Sequence, residues 1–307
     1  MKKFVFASFF SFLFCIATVP ALFAAKLENV KVKTSAPENK EVTVWYRAPD
    51  GYDEKAKHSY RVLIVFGGRN NNGKGTASGG LGFGPWADKH KVFLVSPGFR
   101  NDEYWYPKQW SGRALLKALA KIKSKYNICM TKLLFYGYSG GSQCSNLFPA
   151  WRPDMCRAWV SHACGVFHEP SRRMAGVPGL VTCGDADLRR YIISRHFVDE
   201  SRRKGVSIIW KSYPNLPHQV PPESLKLARA FLTHYHEKYG SDLTRELSSA
   251  QFKAEDVLFV GDDQEARFWP VGHRYAKRID TEDKIEFPSK ELALAWGEEA
   301  QIREKKK

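Results

Sequence analysis

The chain has 307 residues, of which 43% are hydrophobic, 14% aromatic and 26% charged. These values lie near the globular average and exclude an intrinsically disordered chain and a collagen-like fibre, while the length allows one large α/β domain with an appendage. The formal charge of +16 raises an anionic polymer or nucleic acid as partner. The basic residues are scattered and no helix-turn-helix or zinc-finger spacing occurs, so nucleic acid is not expected and a solvated basic surface is the plainer reading.

Residues 1–25 read as an export leader. Lys2 and Lys3 form a basic start, the 16 residues Phe4–Val19 are apolar, and Ala21, Ala24 and Ala25 offer small residues for cleavage. The apolar stretch is short for a bilayer span. No stable membrane insertion is expected after cleavage, and the mature protein is expected to be secreted or periplasmic. Residues 26–240 carry 34 basic and 17 acidic groups, whereas residues 241–307 carry 12 and 15. This shift at Gly240 predicts a main domain over 26–240 and an appended subdomain over 241–307.

Val42, Val44 and Tyr46 alternate as in a half-buried strand. Apolar runs at Arg61–Phe66, Val92–Ser96, Leu133–Tyr136, Ala158–Ser161, Leu180–Cys183 and Val206–Tyr213 predict further strands. Most are continuous, as a sheet covered on both faces requires. Leu115, Leu116, Leu119, Ile122 and Tyr126 recur at helical spacing, and Leu188–Arg203 and Pro222–Tyr239 read as helices. Alternation of strands and helices predicts an α/β fold with a doubly wound, mostly parallel sheet. In the tail, Val257–Val260 reads as a short strand, and a helix precedes the basic end Arg303–Lys307. Five cysteines remain beyond the leader: Cys129, Cys144, Cys156, Cys164 and Cys183. One or two disulfides are expected, with at least one thiol left over, and no spacing suits zinc.

The decisive stretch is Gly137-Tyr138-Ser139-Gly140-Gly141, a G-x-S-x-G pattern directly after an apolar strand. The spacing alone is a weak signal. In the strand-to-helix context, however, a sharp turn lifts the Ser139 hydroxyl out of the sheet, and the flanking glycines let strand and helix approach. The N–H of Gly140 then points toward a developing oxyanion. A serine hydroxyl needs a base and an orienting carboxylate. Asp185 and Asp187 follow the strand Leu180–Cys183, and His218 follows the strand Val206–Tyr213, both in the loops where parallel sheets assemble sites.

With these residues the sequence resembles the α/β-hydrolase superfamily, most closely secreted esterases similar to polyhydroxybutyrate depolymerases and feruloyl esterases, over about residues 41–240. The resemblance implies Ser139 as nucleophile, His218 as general base and then acid, and an aspartate after the penultimate strand. The superfamily's G-x-x-D pattern counted from Gly184 selects Asp187, with Asp185 as the alternative. It also implies a second oxyanion donor after the strand Arg61–Phe66, where Gly68 is the first candidate and Arg69 the second; Phe66 stands where these proteins often have His. The substrate implied is an ester, polymer-derived or free, and no metal or organic cofactor is implied. A peptidase of the same fold and a catalytically silent binder of an anionic polymer are the alternatives.

Three further segments stand out. Gly68–Lys74 spells G-x-x-x-x-G-K, but Gly75 replaces the magnesium-reaching Ser or Thr, so a mobile Gly-rich loop is expected rather than a phosphate cradle. Tyr104, Trp105, Tyr106 and Trp110 crowd one loop and either wall an acyl pocket or pack structurally; Trp105 and Tyr138 are the candidate substrate contacts. Gly261-Asp262-Asp263-Gln264-Glu265 lacks calcium-loop spacing and reads as a turn of solvated acids.

Overall fold

The computed structural model describes residues 26–34, 39–56, 59–100, 103–237 and 257–301; the expected leader, the boundary at Gly240 and the basic end lie outside the described residues. Eight strands form the main sheet: β1 Leu27–Lys33, β2 Glu41–Arg47, β3 Val62–Phe66, β4 Phe93–Pro97, β5 Leu133–Tyr138, β6 Cys156–His162, β7 Gly179–Gly184 and β8 Ile208–Tyr213. Their spatial order is β1-β2-β4-β3-β5-β6-β7-β8. β1 pairs antiparallel with β2 and β2 with β4, and every pairing from β4 to β8 is parallel.

Burial follows the sequence pattern. Val42, Val44 and Tyr46 of β2 point inward, whereas all residues of β3, β4, β6 and β7 are buried, because helices cover both pleats of the central strands. Strand β1 has only Val32 deeply buried, so its own pattern is too faint to announce it. It forms by pairing with β2 along its full length, Leu27 opposite Arg47 to Lys33 opposite Glu41. Its outer carbonyls are not left bare, since Lys117 and Lys121 donate to those of Lys33 and Lys31 at 3.2 and 2.8 Å.

The helices are α1 Lys74–Ala77, α2 Phe83–His90, α3 Gly112–Lys123, α4 Gly140–Trp151, α5 Leu188–Arg203 and α6 Pro222–Glu237. α3 buries Ala114, Leu115, Ala118, Leu119 and Ile122, three of them from the predicted spacing, while Leu116 is half-buried and Tyr126 lies beyond the end of the helix. The glycine-rich segment expected to be a mobile loop is instead folded into α1 and a tight turn over Gly80–Gly82. A Cβ on Gly73, whose φ is 79°, would stand 2.4 Å from the Ser96 carbonyl oxygen. Glycine is there for close approach to the end of β4.

All five described cysteines are buried and unbonded, which overturns the expected disulfides. They serve as small core residues: the Cys129 thiol turns to the Thr131 carbonyl at 3.1 Å and the Cys164 thiol to that of Val166 at 3.0 Å.

A second sheet, in the order β11-β9-β10-β12, contains β9 Phe259–Asp262, β10 Arg267–Pro270, β11 Lys284–Phe287 and β12 Glu298–Glu299, with α7 Lys290–Trp296. Phe268, Ile285, Phe287, Leu292 and Trp296 belong to the same continuous core as the main sheet. The Trp296 indole donates to the Trp210 carbonyl of β8 at 2.7 Å. Asp263 is not a solvated acid. Its side chain is 6% exposed, pairs with Arg195 of α5 at 2.9 Å and accepts from the Trp210 indole at 2.8 Å. Burial pushes its carboxyl up, with Arg195 pulling in the opposite direction.

Candidate active site

Ser139 stands between β5 and α4 at φ 56° and ψ −122°, a positive φ that costs a residue with a side chain free energy unless neighbours enforce it. The enforcing neighbours are visible. A Cβ on Gly137 would lie 2.0 Å from the Gly141 carbonyl oxygen, and one on Gly141 would lie 2.3 Å from that of Gly67. Gly137 and Gly141 thus allow β5, α4 and the end of β3 to touch, and this compression forces the turn at Ser139. The Ser139 N–H donates to the His162 carbonyl of β6 at 3.0 Å.

The structure brings Ser139, His218 and Asp187 into one chain of hydrogen bonds. Ser139 Oγ lies 2.9 Å from His218 Nε2, and His218 Nδ1 lies 2.6 Å from Asp187 Oδ2. An ionised carboxylate only accepts, so Nδ1 carries the proton and Nε2 is left to accept from the Ser139 hydroxyl. Asp187 is 9% exposed; its second oxygen, Oδ1, accepts from Arg190 Nη1 at 3.0 Å. Asp185 has a different task. It accepts the Asn215 N–H at 2.6 Å, and Asn215 turns at φ 56°, so Asp185 helps shape the loop that delivers His218.

Tyr138 stacks on the His218 ring at 5.4 Å and 27°, and its hydroxyl points to the His218 carbonyl at 3.5 Å. Gly68 faces the same corner: a Cβ there would lie 3.4 Å from the Tyr138 ring and 4.0 Å from Ser139 Cβ. Arg69 is equally near, since a Cβ on Gly140 would stand 3.3 Å from the Arg69 backbone nitrogen. The Gly140 N–H opens α4, where helix N–H groups lack intrahelical partners.

The aromatic loop divides. Trp110 is 2% exposed and packs edge-on against Phe99 at 5.4 Å. Tyr104 is 3% exposed, and its hydroxyl lies against Gly140, 2.2 Å from where a Cβ would stand. Trp105 is half-buried between Tyr104 and Tyr106, with ring separations of 5.0 and 6.0 Å. Two other histidines, His162 and His168, have their rings hydrogen-bonded. His162 is 1% exposed with both ring nitrogens hydrogen-bonded, and His168 Nδ1 donates to the Glu169 carbonyl at 2.7 Å.

Sequence reasoning missed Arg190, although its position three residues after Asp187 at the start of a predicted helix is a usable signal. It also missed His162 and Thr182 as partners of the site; only strand register reveals them. No group of three or more His, Cys, Asp or Glu placed to hold a metal occurs among the described residues. Nor is any helix among them long and apolar enough to cross a membrane. A cavity of about 560 Å³ opens in the second sheet beside Arg267, Trp269, Tyr275 and Glu298 and shares no lining residue with the triad.

A mostly parallel sheet that presents Ser139, Asp187 and His218 at the carboxyl ends of β5, β7 and β8 is an α/β-hydrolase fold, and solved structures agree. The chain is similar to a thermostable esterase, with 16% identity over 69% of this chain and 60% of that one at a TM-score of 0.53. It is similar to a ferulic acid esterase of the anaerobic fungus Anaeromyces mucronatus, with 15% identity over 71% of this chain and 91% of that one at 0.54. For a fungal esterase of Rhizomucor miehei the values are 13%, 71%, 86% and 0.56. The chain thus spans less than two thirds of the first of these proteins. No protein-family model and no curated protein sequence matches it.

Proposed function

We propose that the protein is a serine hydrolase that cleaves carboxylic esters through an acyl-enzyme, with Ser139, His218 and Asp187 as its triad. The observation that carries this reading is the unbroken chain from Ser139 Oγ to His218 Nε2 at 2.9 Å and from His218 Nδ1 to Asp187 Oδ2 at 2.6 Å. Ser139 Oγ attacks the ester carbonyl while His218 Nε2 takes its proton. Asp187 holds the tautomer and stabilises the imidazolium, and His218 then protonates the leaving alcohol. Water repeats the cycle on the acyl-enzyme. The tetrahedral oxyanion is held by the Gly140 N–H and by one N–H of the Gly68–Arg69 stretch, each donor worth about 3 kcal/mol in the transition state.

Export belongs to the same proposal and is supported by the basic start, apolar stretch and small residues of residues 1–25. N-terminal sequencing of the mature chain tests it: a start within residues 22–26 is expected, and an intact Met1 in the mature protein would overturn it. For the chemistry, labelling with a fluorophosphonate and mapping the modified peptide is the direct experiment. A single adduct on Ser139 together with turnover of an activated ester is expected. An adduct accompanied by peptide cleavage and no ester turnover would favour a peptidase, and no adduct would favour a non-catalytic binder.

A further inference from the structure

We infer that His162 is the positioning residue that sets the Ser139–His218 distance, because this one buried residue ties, through its backbone carbonyl and its ring, the strand end that carries the nucleophile to the loop that carries the base. The inference rests on the proposed roles of Ser139 and His218. Strand register places His162 centrally: it pairs with Tyr138 at the end of β5 on one side and with Thr182 of β7 on the other. These are the strands that lead into Ser139 and toward Asp187.

His162 holds the site at both ends. Its backbone carbonyl accepts the Ser139 N–H at 3.0 Å. Its ring Nε2 lies 2.6 Å from the carbonyl of Gln219, the residue after His218. A carbonyl only accepts, so Nε2 must carry the proton, and Nδ1 accepts from the Thr182 hydroxyl at 2.6 Å. Side-chain ties on this loop besides the Asp187–His218 bond include Asp185, which acts three residues before His218 at Asn215, and the long Tyr138 contact at 3.5 Å. Burial pushes the His162 imidazole down to about 4, so at neutral pH the ring is uncharged and both nitrogens are committed to these bonds. Such a ring orients its neighbours and has no free nitrogen with which to carry a proton.

Two substitutions separate the tie from simple packing. In His162→Asn the amide reaches only the Nδ1 position and loses Gln219, whereas in His162→Gln the amide nitrogen reaches the Nε2 position and keeps it. Displacing a catalytic group by about 1 Å costs on the order of 100-fold in rate. For His162→Asn the expected result is a fall in kcat of about 10- to 100-fold with KM changed by no more than about twofold, and fluorophosphonate labelling of Ser139 slowed by the same factor. His162→Gln is expected to recover most of both rates. Thr182→Val, which removes the donor to His162 Nδ1 and so loosens the ring, is expected to lose rate in the same direction while leaving His162 in place. Wild-type kcat in His162→Asn overturns the inference, as does equal loss of kcat in the Asn and Gln variants in step with their melting temperatures. If His162→Asn does not fold, Thr182→Val decides, and wild-type kcat there overturns the inference. Absence of an adduct on the wild-type protein overturns the triad reading itself and this inference with it; equal labelling rates in the wild type and His162→Asn overturn only this inference.

Discussion

His218 Nε2 lies 2.9 Å from Ser139 Oγ although 79 positions separate the two residues. Neither residue is placed by its own neighbours alone. Ser139 is raised by the compression of β5, α4 and β3 at Gly137 and Gly141, and His218 is carried in on a loop held by Asp185, Tyr138 and His162. Ser139→Ala removes one hydroxyl and none of these supports. The variant is expected to melt at the wild-type temperature and to lose about 10⁴-fold or more in ester turnover. Ester turnover equal to wild type in the purified variant would remove Ser139 from the mechanism.

The two aspartates of the Gly184–Asp187 segment should separate by kinetics. Asp187→Asn leaves the geometry in place but permits the wrong His218 tautomer, and kcat is expected to fall by about 10⁴-fold. Asp185→Asn weakens only the hold on Asn215, and a loss of less than about 10-fold is expected, since a single loop hydrogen bond contributes roughly 0.5–1.5 kcal/mol. Parallel turnover assays decide; a reversed order would transfer the orienting role to Asp185.

Trp105 sits half-buried beside Tyr104, whose hydroxyl lies against Gly140. If the Trp105 ring walls the acyl site, Trp105→Ala should weaken kcat/KM for bulky aromatic esters by about 1–3 kcal/mol while sparing acetyl esters. A packing role lowers the melting temperature and affects both esters equally. Measuring the two substrates and thermal stability side by side distinguishes them.

We propose that the second sheet is an integral part of the body. Trp296 is 3% exposed, hydrogen-bonds the Trp210 carbonyl and lies over Lys211 Nζ at 4.5 Å. Trp296→Ala should cost about 3–5 kcal/mol, with main and second sheets unfolding in one transition by calorimetry. Two resolved transitions in the wild type would instead mark residues 257–301 as an independent unit.

A pH effect is expected far from the triad. Burial pushes the Glu28 carboxyl up, but hydrogen bonds from Lys125, Tyr126 and Tyr46 outweigh this and hold it below its ordinary 4.5. A carboxyl held low in the folded state stabilises the fold above its unfolded pKa, and the contribution is lost as pH falls through the folded value. Wild type should therefore melt above Glu28→Gln at pH 7, with the gap shrinking as pH falls below 4.5. A gap that is constant from pH 7 to pH 3 would mean that the charge of Glu28 contributes nothing.

The sequence by itself pointed to the parallel core and to Ser139 and His218 at its carboxyl edge, with Asp187 and Asp185 as the two candidate aspartates. Continuous apolar runs such as Val62–Phe66 and Leu133–Tyr138 have no stable place except between covering layers, and Gly137 is demanded by its approach to Gly141 within one turn, whereas Gly141 is demanded by the more distant Gly67. The resemblance favoured Asp187 over Asp185, and the loop path in the tertiary structure brings Asp187 to His218 while turning Asp185 to Asn215. The tertiary structure alone revealed strand β1, whose weak pattern is completed by pairing with β2, and showed the five cysteines buried without disulfides. The links from His162 to Gln219 and from Asp263 to Arg195 and Trp210 span 57, 68 and 53 positions. Buried polar partners at such separations leave no local period in a sequence, since they are fixed only when the desolvated groups meet and must satisfy one another.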